Sequence, residues 1–382
     1  MRAQDSERDL LVLVARAASA RRDEALAEAL AEALTTPLDW ERVLDLADVH
    51  GCVPLLAAEL GAPPRRNAMP ASILRRLCAL NAALALRRQA QLHALGDVLD
   101  ALAVRSIQPV LLKGAALAAS LYPDSDLRPF QDIDLLLRSP AEVRSADLAL
   151  RQLGYVRVEH EPAEMAGFHT VYAWPARSIT VELHSDILQL GLPMRTASAV
   201  WSTRESVGVA GRQVHSLGLE YQVLHLCVHL HTHGYGRLIW LKDLDLLVRA
   251  RGGAADWDHI WALAETEGVT ISMRHALATV RDLLGTPVPS GASHGRRRDL
   301  PGEMAHRLLW PRRQVLALRG KQHLRSVRFN PQLGPMGVIP SLVVMGRRRD
   351  KLRVWLRPDR GMRAVSTENI VESLSSAHMR GG

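Results

Sequence analysis

Apolar positions recur every three to four residues from residue 5 to about 105, a spacing that predicts helices. LLVLVARAASARRDEALAEALAEAL is built from Ala, Leu, Glu and Arg, residues that enter a helix at little cost. Pro37 and Asp39 restart the chain. DWERVLDLADVHGCVPLLAAEL then predicts an amphipathic pair, and ASILRRLCALNAALALRRQAQLHALGDVLDALAV one long helix or two in line. The texture changes at Ile107. IQPVLLKG predicts a buried strand that ends in a tight turn, AALAASLY a short helix, and Pro123 to Pro129 a loop. QDIDLLLR alternates as a strand does, and SPAEVRSADLALRQLGY predicts a helix with Ser139 as N-cap and Pro140 in its first position. YVRVEHE, FHTVYAWP and SITVELHSDI predict three more strands.

Helical periodicity returns in EYQVLHLCVHLHTHG, LIWLKDLDLLVRA, DWDHIWALAETEG and SMRHALATVRDLLG. The expected fold class is α+β, a small mixed sheet flanked by helical regions at both ends. The expected division is an N-terminal helical region over 1–104, an α/β core over 105–190, helices completing a cleft over 191–290, and a basic, partly irregular region over 291–382.

Charge changes this picture at the C-terminal end. The chain carries +8 overall, yet residues 294–363 hold eighteen Lys or Arg against four acids, a local +14 that leaves −6 for the rest. Such a region is expected to dock an anionic partner, such as nucleic acid, anionic lipid or an acidic protein, without taking part in chemistry. No apolar run is long enough for a bilayer span, and MRAQDSERDL lacks the apolar core of a signal peptide. A cytoplasmic protein is expected. Cys52, Cys78 and Cys227 are scattered and odd in number, which predicts buried thiols and neither a disulfide frame nor a zinc knuckle.

The densest chemical signal is Asp132-Ile133-Asp134, with Glu182 some fifty residues on. On a strand the two aspartates point the same way, while Ile133 and Leu135 face a core. Glu182, between Val181 and Leu183, joins that face if its strand is a neighbour. Carboxylates so placed repel one another unless a cation lies between them, and neutralising either aspartate should relieve that repulsion. Mg²⁺ or Mn²⁺ suits such oxygen donors together with substrate phosphates. The alternative is a chance pair of acids at a solvated strand start. Upstream, Lys113 and Gly114 sit at a strand-to-helix turn. There Gly114 permits close approach or positive φ, the next helix's N–H groups can face phosphate, and Lys113 can neutralise it. An ordinary turn is the alternative.

The stretch LLKGAALAASLYPDSDLRPFQDIDLLL resembles the signature of a family of uncharacterised bacterial nucleotidyltransferases within the polymerase-beta-like superfamily. Lys113, Gly114, Tyr122, Pro123, Arg128, Pro129, Asp132 and Asp134 match. Glu182 falls at the third carboxylate and His184 at the family's histidine. His225, His229, His233, Arg237, Trp240, Leu241 and Asp243 continue the likeness, which runs from about 40 to 290. Ala115 stands where the wider superfamily has Gly or Ser, and the spacer to Asp132 is longer; Lys-Gly is usual in the narrower family.

The resemblance implies a nucleotidyltransferase-type sheet, a nucleoside triphosphate substrate and Asp132, Asp134 and Glu182 as catalytic and metal-binding residues. Lys113, Gly114 and Arg128 are the candidate phosphate ligands; Arg128 could instead pair with Asp124 or Asp126. The stripe of His225, His229 and His233, approached by His184, either lines the cleft, with His184, His229 and His233 as candidates, or is partly buried and bonded to backbone. A zinc site there is a third reading, although H-E-x-x-H is absent. Asp243 is expected to pair with Arg237 or cap the cleft, and Trp240, Trp257 and Trp261 to pack. The expected activity is transfer of a nucleoside monophosphate from an NTP to an unidentified small-molecule, peptide or protein acceptor, with pyrophosphate released. The competing readings are a non-catalytic binding protein on the same fold that docks through its basic region, and a phosphohydrolase that uses water as acceptor.

Overall fold

The computed structural model describes residues 6–19, 23–158, 169–188 and 194–293. The basic region over 294–363 lies outside the described residues. The N-terminal helices are α1 (Ser6–Ala17), α2 (Glu24–Ala33), α3 (Trp40–Val49), α4 (Val53–Leu60) and α5 (Ala71–Ala103). Side-chain caps start two of them. Asp23 accepts from the N–H of Leu26 and Asp39 from that of Arg42, each worth about 1 kcal/mol. The long apolar-periodic stretch after Pro70 is a single helix, α5, of 33 residues and roughly 50 Å.

The central part runs β1 (Val110–Leu112), α6 (Gly114–Leu121), β2 (Asp132–Leu136), α7 (Pro140–Gln152), β3 (Val156–Arg157), β4 (His169–Trp174) and β5 (Ile179–His184). Ser139 caps α7 through the Glu142 N–H, with Pro140 in the first turn as expected. The short helix α8 (Ala197–Ser202) and two strands follow, β6 (Glu205–Val209) and β7 (Arg212–Ser216). The chain ends its described part in α9 (Leu219–Thr232), α10 (Leu238–Arg251), α11 (Trp257–Glu267), α12 (Thr270–Leu284) and one further turn of helix.

The architecture is α+β around one mixed seven-stranded sheet in the order β3-β4-β5-β2-β1-β7-β6. The β6–β7 hairpin corrects the purely helical reading of 191–290. Its turn, Ala210-Gly211, takes positive φ at both residues (52° and 74°), as a two-residue hairpin requires. β7 pairs in parallel with β1, so the sheet draws on residues beyond 190.

Alternation sorts the sheet's residues between two cores. Leu111, Ile133, Leu135, Val181 and Leu183 pack with Ala94, Leu95 and Val98 of α5 and Ala149 and Leu150 of α7. On the opposite face Val110, Leu112 and Leu136 join a larger core that runs through α1, α3, α4 and α9 to α12. The N-terminal helices and the helices after the hairpin thus share one apolar interior. Lys242 of α10 is buried within it and donates to the Ala15 carbonyl (2.6 Å) and to Asp245 (3.2 Å), tying α10 to α1. Trp257 and Trp261 are buried as expected, whereas Trp240 is only partly buried. Cys52 and Cys227 are buried thiols, but Cys78 is exposed.

Among the buried polar groups is His231 of α9, whose imidazole burial, with His275 nearby, pushes down to about 3. An unfolded histidine titrates near ~6.5. The folded chain therefore binds fewer protons than the unfolded chain below that pH, and stability is lost as pH falls from about 6.5 towards 3. We expect His231→Leu to flatten this dependence. Denaturant midpoints at pH 7 and pH 5 should lie closer together in the variant than in the parent protein, and an equal drop in both would remove His231 from the acid response.

Candidate active site

β2 and β5 are parallel neighbours, with Asp132 opposite Thr180, Asp134 opposite Glu182 and Leu136 opposite His184. In-register neighbours share a face, so Asp132, Asp134, Glu182 and His184 all point away from the core of Ile133 and Val181. One ligand atom from each of Asp134, Glu182 and His184 can be chosen so that all lie within 4.8 Å of one another. This compact set differs from the expected triad: His184 is in it, and Asp132 stands one pleat along β2. Sequence reasoning placed His184 on a cleft wall. It is instead fully buried, with Nε2 2.8 Å from Asp134 Oδ1 and 3.4 Å from Glu182 Oε2. Burial disfavours its charge, and the bonds to Asp134 and Glu182 outweigh burial, so its pKa is raised.

Lys113 follows β1 and supplies the local positive charge. Its Nζ lies 2.8 Å from Asp134 Oδ1. Burial opposes the ammonium charge, but Asp134, Glu182 and Asp132 together hold it well above the ordinary lysine range. The backbone at Lys113 has φ 45° and ψ −137°, a conformation that costs a non-glycine residue on the order of 1–3 kcal/mol. The positive φ anticipated for Gly114 thus falls on Lys113. Gly114 serves close approach: a Cβ there would lie 2.9 Å from the Cβ of Phe130.

The carboxylates are not equivalent. Burial raises the Asp132 carboxyl to about 7, aided by the charges of Asp134 and Glu182. Burial also acts on Asp134, where Lys113 and His184 overcome it and hold the carboxyl well below its usual range. At Glu182 the bond from His184 outweighs burial and the net shift is downward. Neutralising Asp132 would remove repulsion, as expected, but neutralising Asp134 would take away the partner of Lys113 and His184.

Arg128 departs from the expected phosphate contact. Its Nε and Nη2 donate to the two oxygens of Asp243, both at 2.7 Å, and Nη1 donates to the Pro129 carbonyl. The Tyr122 hydroxyl donates to Asp243 as well, at 2.8 Å. All three side chains are buried. The loop before β2 is thereby fixed to α10. Asp243 pairs with Arg128 and not with Arg237, while Asp126 pairs with Arg88.

α9 lies over this face of the sheet. His225 is buried and donates from Nδ1 to the Ile187 carbonyl (2.6 Å), and burial and Lys113 push its pKa down to about 3. His229 and His233 are partly exposed and close to each other, with ring centroids 4.4 Å apart. Trp240 of α10 meets both, at 4.8 Å and 5.2 Å. The stripe therefore divides: its first histidine is bonded to backbone and the other two form a ring surface with Trp240. Among the described residues it does not form a metal-ligand set.

A family model described as an uncharacterised nucleotidyltransferase matches residues 36–285. The chain belongs to that family. The match takes in every element from α3 to α12 and ends before the basic region, so the nucleotidyltransferase family covers both the carboxylate sheet and the helices that close over it. No curated protein and no solved structure matches the chain. No helix among the described residues is long and apolar enough to cross a membrane.

The buried Arg128–Asp243 pair gives a direct test of its structural role. Arg128→Met leaves the Asp243 carboxylate buried without its cation and should cost about 3–5 kcal/mol in equilibrium unfolding. Arg128→Met combined with Asp243→Leu should recover most of that loss, because no unpaired charge remains. A single variant as stable as the parent protein would show that the pair does not hold the loop.

Proposed function

We propose that the protein is a metal-dependent nucleotidyltransferase that moves a nucleoside monophosphate from an NTP to an acceptor, with pyrophosphate released. The observation that carries this reading is the set of three carboxylates on one face of β2 and β5, in a chain whose family is of nucleotidyltransferases. Lys113 and His184 both lie against Asp134, while Asp132, raised to about 7 by burial and by its neighbours' charges, is the carboxyl that a divalent cation would hold ionised. The donor set fits such a cation. Asp132, Asp134 and Glu182 offer hard oxygens of the kind Mg²⁺ or Mn²⁺ takes, and His184 orients two of them. A bound divalent cation would supply Lewis-acid stabilisation of charge on the phosphate oxygens.

The chain's own residues do the rest. Lys113, held at the carboxylates by a strained backbone, binds phosphate oxygen and limits how far the triphosphate can shift. The first N–H groups of α6 face the same end of β1 and add partial positive charge. The acceptor oxygen forms a bond to the α-phosphorus as the bond to pyrophosphate breaks. Glu182 takes the acceptor's proton. Its side chain keeps 22% of its surface exposed while that of Asp134 keeps 1%, so Glu182, like the half-buried Asp132, is open to an incoming acceptor. His184 and Arg128 touch no substrate; the first sets carboxylate orientation and the second sets the loop that leads into β2.

Asp132→Asn and Asp134→Asn should each lower turnover by about 10²- to 10³-fold, because each loosens the hold on the cation that would offset transition-state charge. Their stabilities should diverge. Without metal, Asp132→Asn should melt at or above the parent temperature and Asp134→Asn below it, since only Asp134 holds Lys113 and His184. The assay offers each labelled NTP with Mg²⁺ or Mn²⁺ and a lysate as acceptor source, and follows pyrophosphate and labelled product. Near-parental turnover in either variant would sink the assignment. Activity that persists in excess chelator would favour a metal-independent role for this fold.

A further inference from the structure

Arg237 is a cation that no carboxylate among the described residues meets in an ion pair. It is the N-cap of α10 and it is partly buried. Its Nε donates to the Val49 carbonyl at 3.0 Å, which uses one of its five N–H groups. The guanidinium carbon lies 5.7 Å from the centre of the Trp240 ring. Arg128, buried close by, has both oxygens of Asp243. Arg249 and Arg251 of the same helix have Asp245 and Glu205. A half-buried guanidinium without an ion-pair partner is costly, and a ligand that brings negative charge would complete it.

The surroundings say where that ligand lies. Burial and the charge of Arg128 lower the guanidinium's pKa, while the carboxylates of Asp132 and Asp48 favour its charge. The Trp240 ring beside Arg237 also meets His229 and His233, and His229 lies within reach of the charges of both Lys113 and Arg128. The helix terminus itself is already satisfied. His50 Nδ1 accepts the N–H of Leu238 at 3.2 Å, and the His50 carbonyl accepts that of Ile239 at 3.1 Å. An anion here would therefore engage the fork of Arg237 and not the first turn of α10. The turn between α3 and α4 aims that fork. Val49 holds Nε, and Gly51, at φ +68°, leaves room for it: a Cβ there would sit 3.0 Å from Arg237 Nη2.

We infer that Arg237 is a phosphate ligand of the nucleotide, gripping the terminal phosphates that leave as pyrophosphate, with the turn at Val49–Gly51 as its positioning element. This rests on the nucleotidyl-transfer reading for the identity of the ligand, though not for the presence of an anion site. A guanidinium suits the task because its parallel N–H groups match two phosphate oxygens, which a lysine ammonium cannot do. Arg237 and Lys113 would then hold the polyphosphate from two sides, one from the helical region and one from the sheet.

The experiment compares the parent protein, Arg237→Met and Arg237→Lys, full length, for binding of inorganic tripolyphosphate in Mg²⁺ by calorimetry, beside melting temperature without ligand. Losing one charge-assisted contact should weaken tripolyphosphate binding in Arg237→Met about 10- to 100-fold. Arg237→Lys should recover only part of it. Melting of Arg237→Met without ligand should stay level or rise, because the half-buried charge removed has no ion-pair partner and the one hydrogen bond lost, to the Val49 carbonyl, is lost at a half-exposed site. Parental affinity in Arg237→Met, no tripolyphosphate binding by the parent protein, or a clear drop in melting temperature with unchanged affinity would each overturn the inference. If the methionine variant binds tripolyphosphate normally but weakens capture of an anionic acceptor supplied with the NTP, the anion is the acceptor's and the assignment to the nucleotide is wrong. Failure of the catalytic reading looks different: the parent protein binds tripolyphosphate through Arg237 yet turns over no NTP.

Discussion

Three carboxylates pressed onto one face of two parallel strands are the constraint around which this molecule is arranged. Asp134 and Glu182 are in-register neighbours, and Asp132 is one pleat away. Left alone, such a group would resist both burial and ionisation. The fold answers with Lys113 at 2.8 Å from Asp134 and with His184 between Asp134 and Glu182. Both answers carry a cost. Lys113 takes a backbone conformation that few side-chain-bearing residues adopt, and His184 gives up all contact with solvent. Strain accepted at the one lysine that meets the carboxylates is what a site built for charge would show.

Holding those strands in place falls to the other face and to α10. Ile133, Leu135, Val181 and Leu183 anchor β2 and β5 in apolar packing against α5 and α7. On the site's own face, Asp243 of α10 receives Tyr122 and Arg128, so the loop that enters β2 cannot drift without breaking a buried ion pair. α10 is in turn fixed to α1 through Lys242 and to the α3–α4 turn through His50, which accepts from Leu238 and Ile239. The N-terminal helices are thus mechanically continuous with the carboxylate sheet. The family match, from residue 36, takes in α3 and α4 together with the sheet.

Much of this was legible in the sequence because it depends on period. Asp-Ile-Asp and Val-Glu-Leu declare which side chains share a face, and the helices of the first hundred residues follow from apolar spacing alone. What sequence missed depends on partners far away along the chain. RESVGVAGRQVHS has the alternation of a hairpin, yet its turn is Ala-Gly and lacks the usual Asn or Asp, so the signal was faint. Arg128 looked like a phosphate ligand because it stands four residues before Asp132 and matches the family's signature, with Asp124 and Asp126 as the local alternative; its actual partner is 115 residues on. His184 looked like a cleft residue for a similar reason. A histidine two residues beyond Glu182 on a strand must share its face, and that clue pointed to the carboxylates themselves.

The exchange of roles between two arginines is the step that joins the fold to the chemistry. Arg128 and Arg237 both approach Asp243's end of α10, and either could serve phosphate or structure. Coulomb's law does not allow both to stay unpaired in one poorly solvated region, since each lowers the tolerance for the other. Asp243 resolves the conflict by neutralising Arg128 completely, with two parallel hydrogen bonds and burial. Arg237 is left without an ion pair among the described residues, and its direction is set by a turn from the N-terminal helices. A fold that wanted only stability would have paired both arginines or replaced one with an apolar residue. Leaving one cation uncompensated beside a cluster of carboxylates makes sense if substrate brings the missing negative charge and a metal brings the missing positive charge, each completing the half of the site that the other does not.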